Sequence, residues 1–163
     1  MTTVAPSNMS RKTKSGKQYK QDRRRRERIL NTFPFLSDQQ FRIIEVLEDT
    51  SEELGYRVRE PTLKKMVKQA AKAKRNETIM NNREFGVAIA ALIAFSAEEA
   101  ALSRQHTIKP KHVDKGWNAN STCPGTCPPH KCFRRSVFQV EDTLRQNLPI
   151  FRELSVQVHT VVS

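Results

Sequence analysis

The sequence predicts an all-α protein. Three observations carry that expectation: a capping box at Ser37, apolar residues at helical spacing from Phe41 to Leu54 and again from Leu63 to Ala70, and an apolar run around Phe85–Phe95 too long for a strand. The chain has 163 residues, 37% of them hydrophobic, which suffices for one modest core with tails. Lys and Arg number 29 against 17 Asp and Glu, a formal charge of +12. Such a balance attracts polyanions before any specific contact forms, and nucleic acid leads that class ahead of anionic membranes and acidic protein tails. The N-terminal MTTVAPSNMS lacks the apolar run of a secretory signal, and Gly86–Ala97 falls short of the roughly 20 residues a membrane span needs. Cys123, Cys127 and Cys132 crowd together and cannot staple distant segments. A soluble protein in a reducing compartment is expected.

The elements follow in order. Residues 1–36 read as a disordered basic arm, because Arg11–Arg28 holds ten Lys or Arg against Asp22 and Glu27, with Tyr19 its only sizeable apolar side chain. Arg23, Arg24, Arg25 and Arg26 form the densest cationic block, suited to neutralising phosphates and to nuclear import. Residues 37–55 form an acidic amphipathic helix: Ser37 and Gln40 make the capping box, Phe41, Ile44, Val46, Leu47 and Leu54 its apolar side, and Gly55 its end. Asp38, Glu45, Glu48, Asp49, Glu52 and Glu53 outnumber Arg42 on the other side, so this helix should face away from a polyanion.

A short basic helix then starts at Pro61, which suits the first helical position. Leu63, Met66, Val67 and Ala70 share one face and lysines fill the others. A longer helix begins at Asn81 or Asn82 and runs to about Gln105. Phe85, Ala88, Ile89, Leu92 and Phe95 line one side, and Val87, Ala91, Ala94, Ala97 and Ala101 a second. A helix apolar nearly all round is buried nearly all round, so a second subunit is expected to cover it at Phe85, Ile89, Leu92 and Phe95. Thr107-Ile108 favours a strand, and Pro110 starts another helical turn. Residues 118–136 read as a Pro/Cys loop, and residues 137–163 as a C-terminal helix interrupted at Pro149 with a tail, Ser155–Ser163, that alternates like a strand.

Residues 56–117 carry a family resemblance. PTLKKMVKQAAKAK, MNNREFGVAIAALIAFSAEEAALSRQ and HTIKPKHVDKGW together resemble the short helix, long central helix, second loop and third helix of the histone fold. YRVREPTLKKMVKQ and TIKPKHV are most similar to centromere histone-fold subunits of the W type, and nearly as similar to subunits of the CCAAT-binding and TATA-factor-associated groups. The third helix, soon meeting Gly116 and the Pro/Cys loop, and the acidic helix ahead of the core depart from the family pattern. The resemblance implies a histone fold with an extra N-terminal helix and basic arm, heterodimerisation with a second histone-fold subunit, and a nuclear role in chromatin, at a centromere or kinetochore, or in transcription regulation. It also implies DNA phosphates held by Arg57, Arg59, Lys64 and Lys65, by Lys74 and Arg75, and by Thr107, Lys109 and Lys111, with little base specificity.

Cys123, Cys127, His130 and Cys132 form C-x3-C-x2-H-x-C, a donor set for a structural zinc ion whose spacing matches no standard finger. The competing reading is a loop with free thiols. No Gly-rich phosphate loop, G-x-S-x-G or H-E-x-x-H is present, and His106 and His112 read as exposed or capping residues, so an enzyme is not expected. Two alternatives to duplex binding stay open: an RNA- or single-strand-binding protein with a small zinc loop, and a protein-interaction scaffold. Few aromatics sit among the basic runs, which disfavours base stacking.

Overall fold

Ser15 is extended and its Oγ accepts from Gln18 N–H, which starts the first helix, α1 (Gly16–Thr32), in a computed structural model describing residues 15–73, 81–120 and 141–162. The chain divides into two bodies, Met1–Pro34 and Phe35–Ser163. The described part of the first body is thus helical, where the sequence predicts disorder. Lys17–Arg28 contains no β-branched residue or proline, and its Lys, Gln and Arg side chains lose little freedom in a helix. One i,i+4 pair, Arg23–Glu27 at 3.5 Å, adds little because both side chains are exposed. A high charge forbids a core, but it does not forbid local hydrogen bonding.

In the second body α2 (Asp38–Glu53) begins at the expected capping box, with Gln40 N–H donating to Ser37 Oγ at 3.1 Å and Ser37 N–H to Gln40 Oε1 at 3.3 Å. Phe41, Ile43, Ile44 and Leu47 are buried, whereas Val46 is half-buried and Leu54 exposed. After Gly55 comes β1 (Arg57–Val58), then α3 (Glu60–Ala73), whose buried residues include the expected Leu63, Met66, Val67 and Ala70. α3 starts at Glu60, so Pro61 occupies its second position. α4 (Asn82–Leu102) is capped by Asn81, whose Oδ1 accepts from Glu84 N–H at 2.8 Å, and it ends three residues before the expected Gln105. β2 (Thr107–Ile108) and α5 (Pro110–Asn120) follow, with Pro110 in the first position of its helix. The strand β1 was not expected. It pairs in parallel with β2 in the register Arg57↔Thr107 and Val58↔Ile108.

The C-terminal helical segment is interrupted at Pro149, which separates α6 (Glu141–Asn147) from α7 (Pro149–Val162) and stands first in the latter. One expectation for these residues is corrected. Ser155–Val162 is helical rather than strand-like, because Phe151, Leu154, Ser155 and Val158 share one face and are buried against α2 and α4. Val156, which made the alternation, is exposed. Glu141 ties this pair of helices together: its Oε1 is 2.8 Å from Arg145 Nη2 and 3.3 Å from Ser155 Oγ, while Oε2 is 3.3 Å from Arg83 Nη2 on α4.

α4 is the axis of the core. Every residue from Phe85 to Ala97 is buried, and α2, α3, α5 and α7 surround it. Phe85, Ile89, Leu92 and Phe95, expected to meet a second subunit, are therefore covered by the chain itself. A domain this small encloses so long a helix because its C-terminal helix α7 joins the cover. By length and apolarity alone α4 also passes for a membrane span, but its apolar surface is spent inside the fold. Two glycines set its spacing: a Cβ on Gly86 would lie 2.5 Å from Val158 Cγ1, and one on Gly116 would lie 3.1 Å from the Phe95 carbonyl carbon. α7 and α5 approach α4 closely because those side chains are absent.

Candidate nucleic-acid interface

The second body contains the same local unit twice, α2–turn–β1–α3 and α4–turn–β2–α5. Parallel pairing of β1 with β2 puts the two units side by side, so the starts of α3 and α5 leave the ribbon at the same end. Alternation within each strand buries Val58 and Ile108 and turns Arg57 and Arg59, Thr107 and Lys109 outward. Arg57 N–H donates to His106 O at 2.7 Å, and Thr62 Oγ–H, on the first turn of α3, donates to Ile108 O at 2.8 Å inside the core. Both bonds run from donors of the first unit to carbonyls of the second and lock the ribbon.

Five of the residues singled out in the sequence meet here. Arg57 and Thr107 are directly paired, Arg59 and Lys109 stand at the next step, and the exposed Lys111 lies in the first turn of α5. Each helix start adds backbone N–H groups without an intrahelical partner and the positive end of its dipole. Two nearby lysines are committed to ion pairs. Lys64 Nζ lies 3.3 Å from Glu60 Oε1, and Lys65 Nζ bonds Asp114 Oδ2, tying α3 to α5. Lys65 therefore serves to join the two units. Arg23, Arg24, Arg25 and Arg26 belong to α1, in the other body. Lys74, Arg75 and the set Cys123, Cys127, His130 and Cys132 lie outside the described residues; among those described, no three His, Cys, Asp or Glu come together as a metal site.

His112 is a residue whose role the sequence leaves open. It occupies the third position of α5, and its Nδ1 accepts the Lys109 N–H at 2.9 Å, the return half of a capping box performed by an imidazole. The ring is fully buried, and Nε2 has no partner among the described residues. An acceptor Nδ1 places the proton of the neutral ring on Nε2. Burial holds its pKa below the usual 6.5, and Lys111, Lys109 and Lys115 push the same way against Glu99. The ring is neutral, and the positive charge at this end of the ribbon comes from arginine and lysine.

Cations and helix starts with few competing carboxylates can hold phosphate oxygens; of the acids close by, Glu60 and Asp114 are each engaged by a lysine, and Glu99 acts on the buried His112. Comparison of the chain with protein-family models, with curated proteins and with solved structures finds no match.

Proposed function

We propose that this protein binds duplex DNA through its phosphates as a histone-fold-like subunit of a nuclear chromatin, centromere or transcription complex. The observation that carries the reading is the paired ribbon, which brings Arg57, Arg59, Lys109 and Lys111 to the starts of two adjacent helices. The order of α3, α4, β2 and α5 supports the histone-fold part, since it is the order on which the resemblance rests. Pairing with a second histone-fold subunit belongs to this reading through surfaces other than the buried face of α4. Contacts of this kind position a duplex and discriminate little between sequences.

The test is salt-dependent binding to duplex and single-stranded probes of the same sequence. Duplex should be preferred, and Arg59→Glu with Lys109→Glu should weaken binding about equally on unrelated sequences while flattening the salt slope by roughly 0.9 for each phosphate no longer neutralised. A slope unchanged by the double charge reversal rejects the interface. A preference for single strands favours the RNA- or single-strand-binding alternative.

A further inference from the structure

Helices α2 and α4 end in the same turn. After α2, Gly55 N–H donates to Glu52 O at 3.0 Å and Tyr56 N–H to Ser51 O at 2.9 Å. After α4, Arg104 N–H donates to Ala101 O at 2.9 Å and Gln105 N–H to Ala100 O at 2.8 Å. Both are Schellman motifs, in which the residue just past the helix adopts the left-handed conformation. Gly55 does so at φ 94°, with the freedom its missing Cβ allows. Arg104 does so at φ 54°, the only non-glycine at positive φ among the described residues. A side chain there is disfavoured by the contact of its Cβ with the following carbonyl, and arginine has no short polar group to relieve it, as asparagine has.

Packing does not explain the choice. Arg104 is exposed, so its side chain fills no gap in the core. Its location offers a reason instead: it stands two residues ahead of His106, whose carbonyl accepts from Arg57 N–H, and three ahead of Thr107 in the ribbon. Strain retained at an exposed cationic position beside a cationic surface is the pattern expected when the charge serves binding at the expense of the fold.

We propose that Arg104 is a phosphate-contacting residue that extends the ribbon's cationic surface toward the end of α4, and that the left-handed turn fixes where its guanidinium leaves the backbone. The assignment rests on the phosphate-binding reading above. A planar guanidinium can engage two phosphate oxygens at once, which an ammonium cannot. The sequence conceals the residue, because Arg104 follows Ser103 in a run with no glycine to mark the turn.

The test pairs two variants of the full chain, Arg104→Gly and Arg104→Lys, in thermal melts and in duplex-binding titrations across a salt series. Arg104→Gly removes strain and charge together; it should raise the melting temperature by about 2–4 °C, weaken duplex binding several-fold and flatten the salt slope by roughly 0.9. Arg104→Lys should melt like the parent and keep the slope. Should Arg104→Gly bind with the parent's affinity and slope, the residue does not contact phosphate. Should it melt lower, arginine is present for the turn, through the carbonyls at the end of α4, and the inference fails. If the unsubstituted chain binds no duplex, the phosphate reading itself falls, an outcome visible before either variant is compared.

Discussion

The two helix–turn–strand–helix units share a backbone plan and differ in what they do with it. In the first, α2 shows an acidic face to solvent, the turn uses Gly55, and the first turn of α3 sends Thr62 across to the other strand. In the second, α4 is buried almost throughout, the turn uses Arg104, and the first turn of α5 keeps His112 at home as its own cap. Burial therefore concentrates in the second unit, and the bond that locks the two strands comes from the first. A ribbon of two residues per strand is too short to stand alone. Its rigidity comes from the helices packed around it.

The largest test of this division is Ile108→Ala against Val58→Ala. Ile108 is fully buried on a strand that packs on α4, so its truncation should cost about 2–4 kcal/mol in urea unfolding, and the smaller Val58 change about half as much. Equal losses would mean that the units bear the core alike. Thr62→Val keeps the shape and deletes the donor to Ile108 O, at a cost of about 1–3 kcal/mol, because the buried carbonyl loses that partner. A loss near zero would assign the locking of the strands to packing alone. Gly55→Ala should cost about 1 kcal/mol through its positive φ, although a Cβ there meets no atom within 4 Å. Its effect on melting should be opposite in sign to that of Arg104→Gly, which asks the same question of the other turn.

A smaller effect separates the units by pH. An unfolded His112 takes up a proton near pH 6.5, while the buried ring in the folded chain takes one up only at lower pH. Below 6.5 the unfolded state thus binds the extra proton first, so stability is fully present above that pH and declines as pH falls toward the folded pKa. Chemical denaturation at pH 7.5 and 5.5 should show the decline. His112→Gln keeps an acceptor for Lys109 N–H and should remove His112's share of it; an identical decline in the variant would clear His112. Nothing at Thr62, the matching position of the first unit, titrates in this range. Least of all should change with Lys65→Ala, which opens the half-exposed bridge to Asp114 for less than about 1 kcal/mol.

Much of the second body is legible residue by residue. Ser37 with Gln40, the stripe Leu63, Met66, Val67 and Ala70, Asn81 ahead of α4, and Pro110 opening α5 are signals complete within one turn or two, and each appears where the sequence puts it. The interface is half legible. Its arginines and lysines can be picked out by charge, but charge does not reveal that Lys64 and Lys65 are paired while Arg59 and Lys109 stand together. That distinction depends on the register of β1 and β2, strands 50 residues apart with too little length to announce themselves.

The sequence by itself determined where most helices start, which faces are apolar and where positive charge accumulates, because capping bonds and helical periodicity act over a few residues. Tertiary structure decided that Ser155–Val162 is a helix, since Phe151, Leu154 and Val158 gain more from burial on α2 and α4 than alternating valines gain from an unpaired strand. It also decided what covers α4. Gly86 admits Val158 and Gly116 admits Phe95, so the helix that looked in need of a partner is enclosed by segments of its own chain. Apolar surface records that something must cover it, and only packing determines whether the cover comes from the same chain or another.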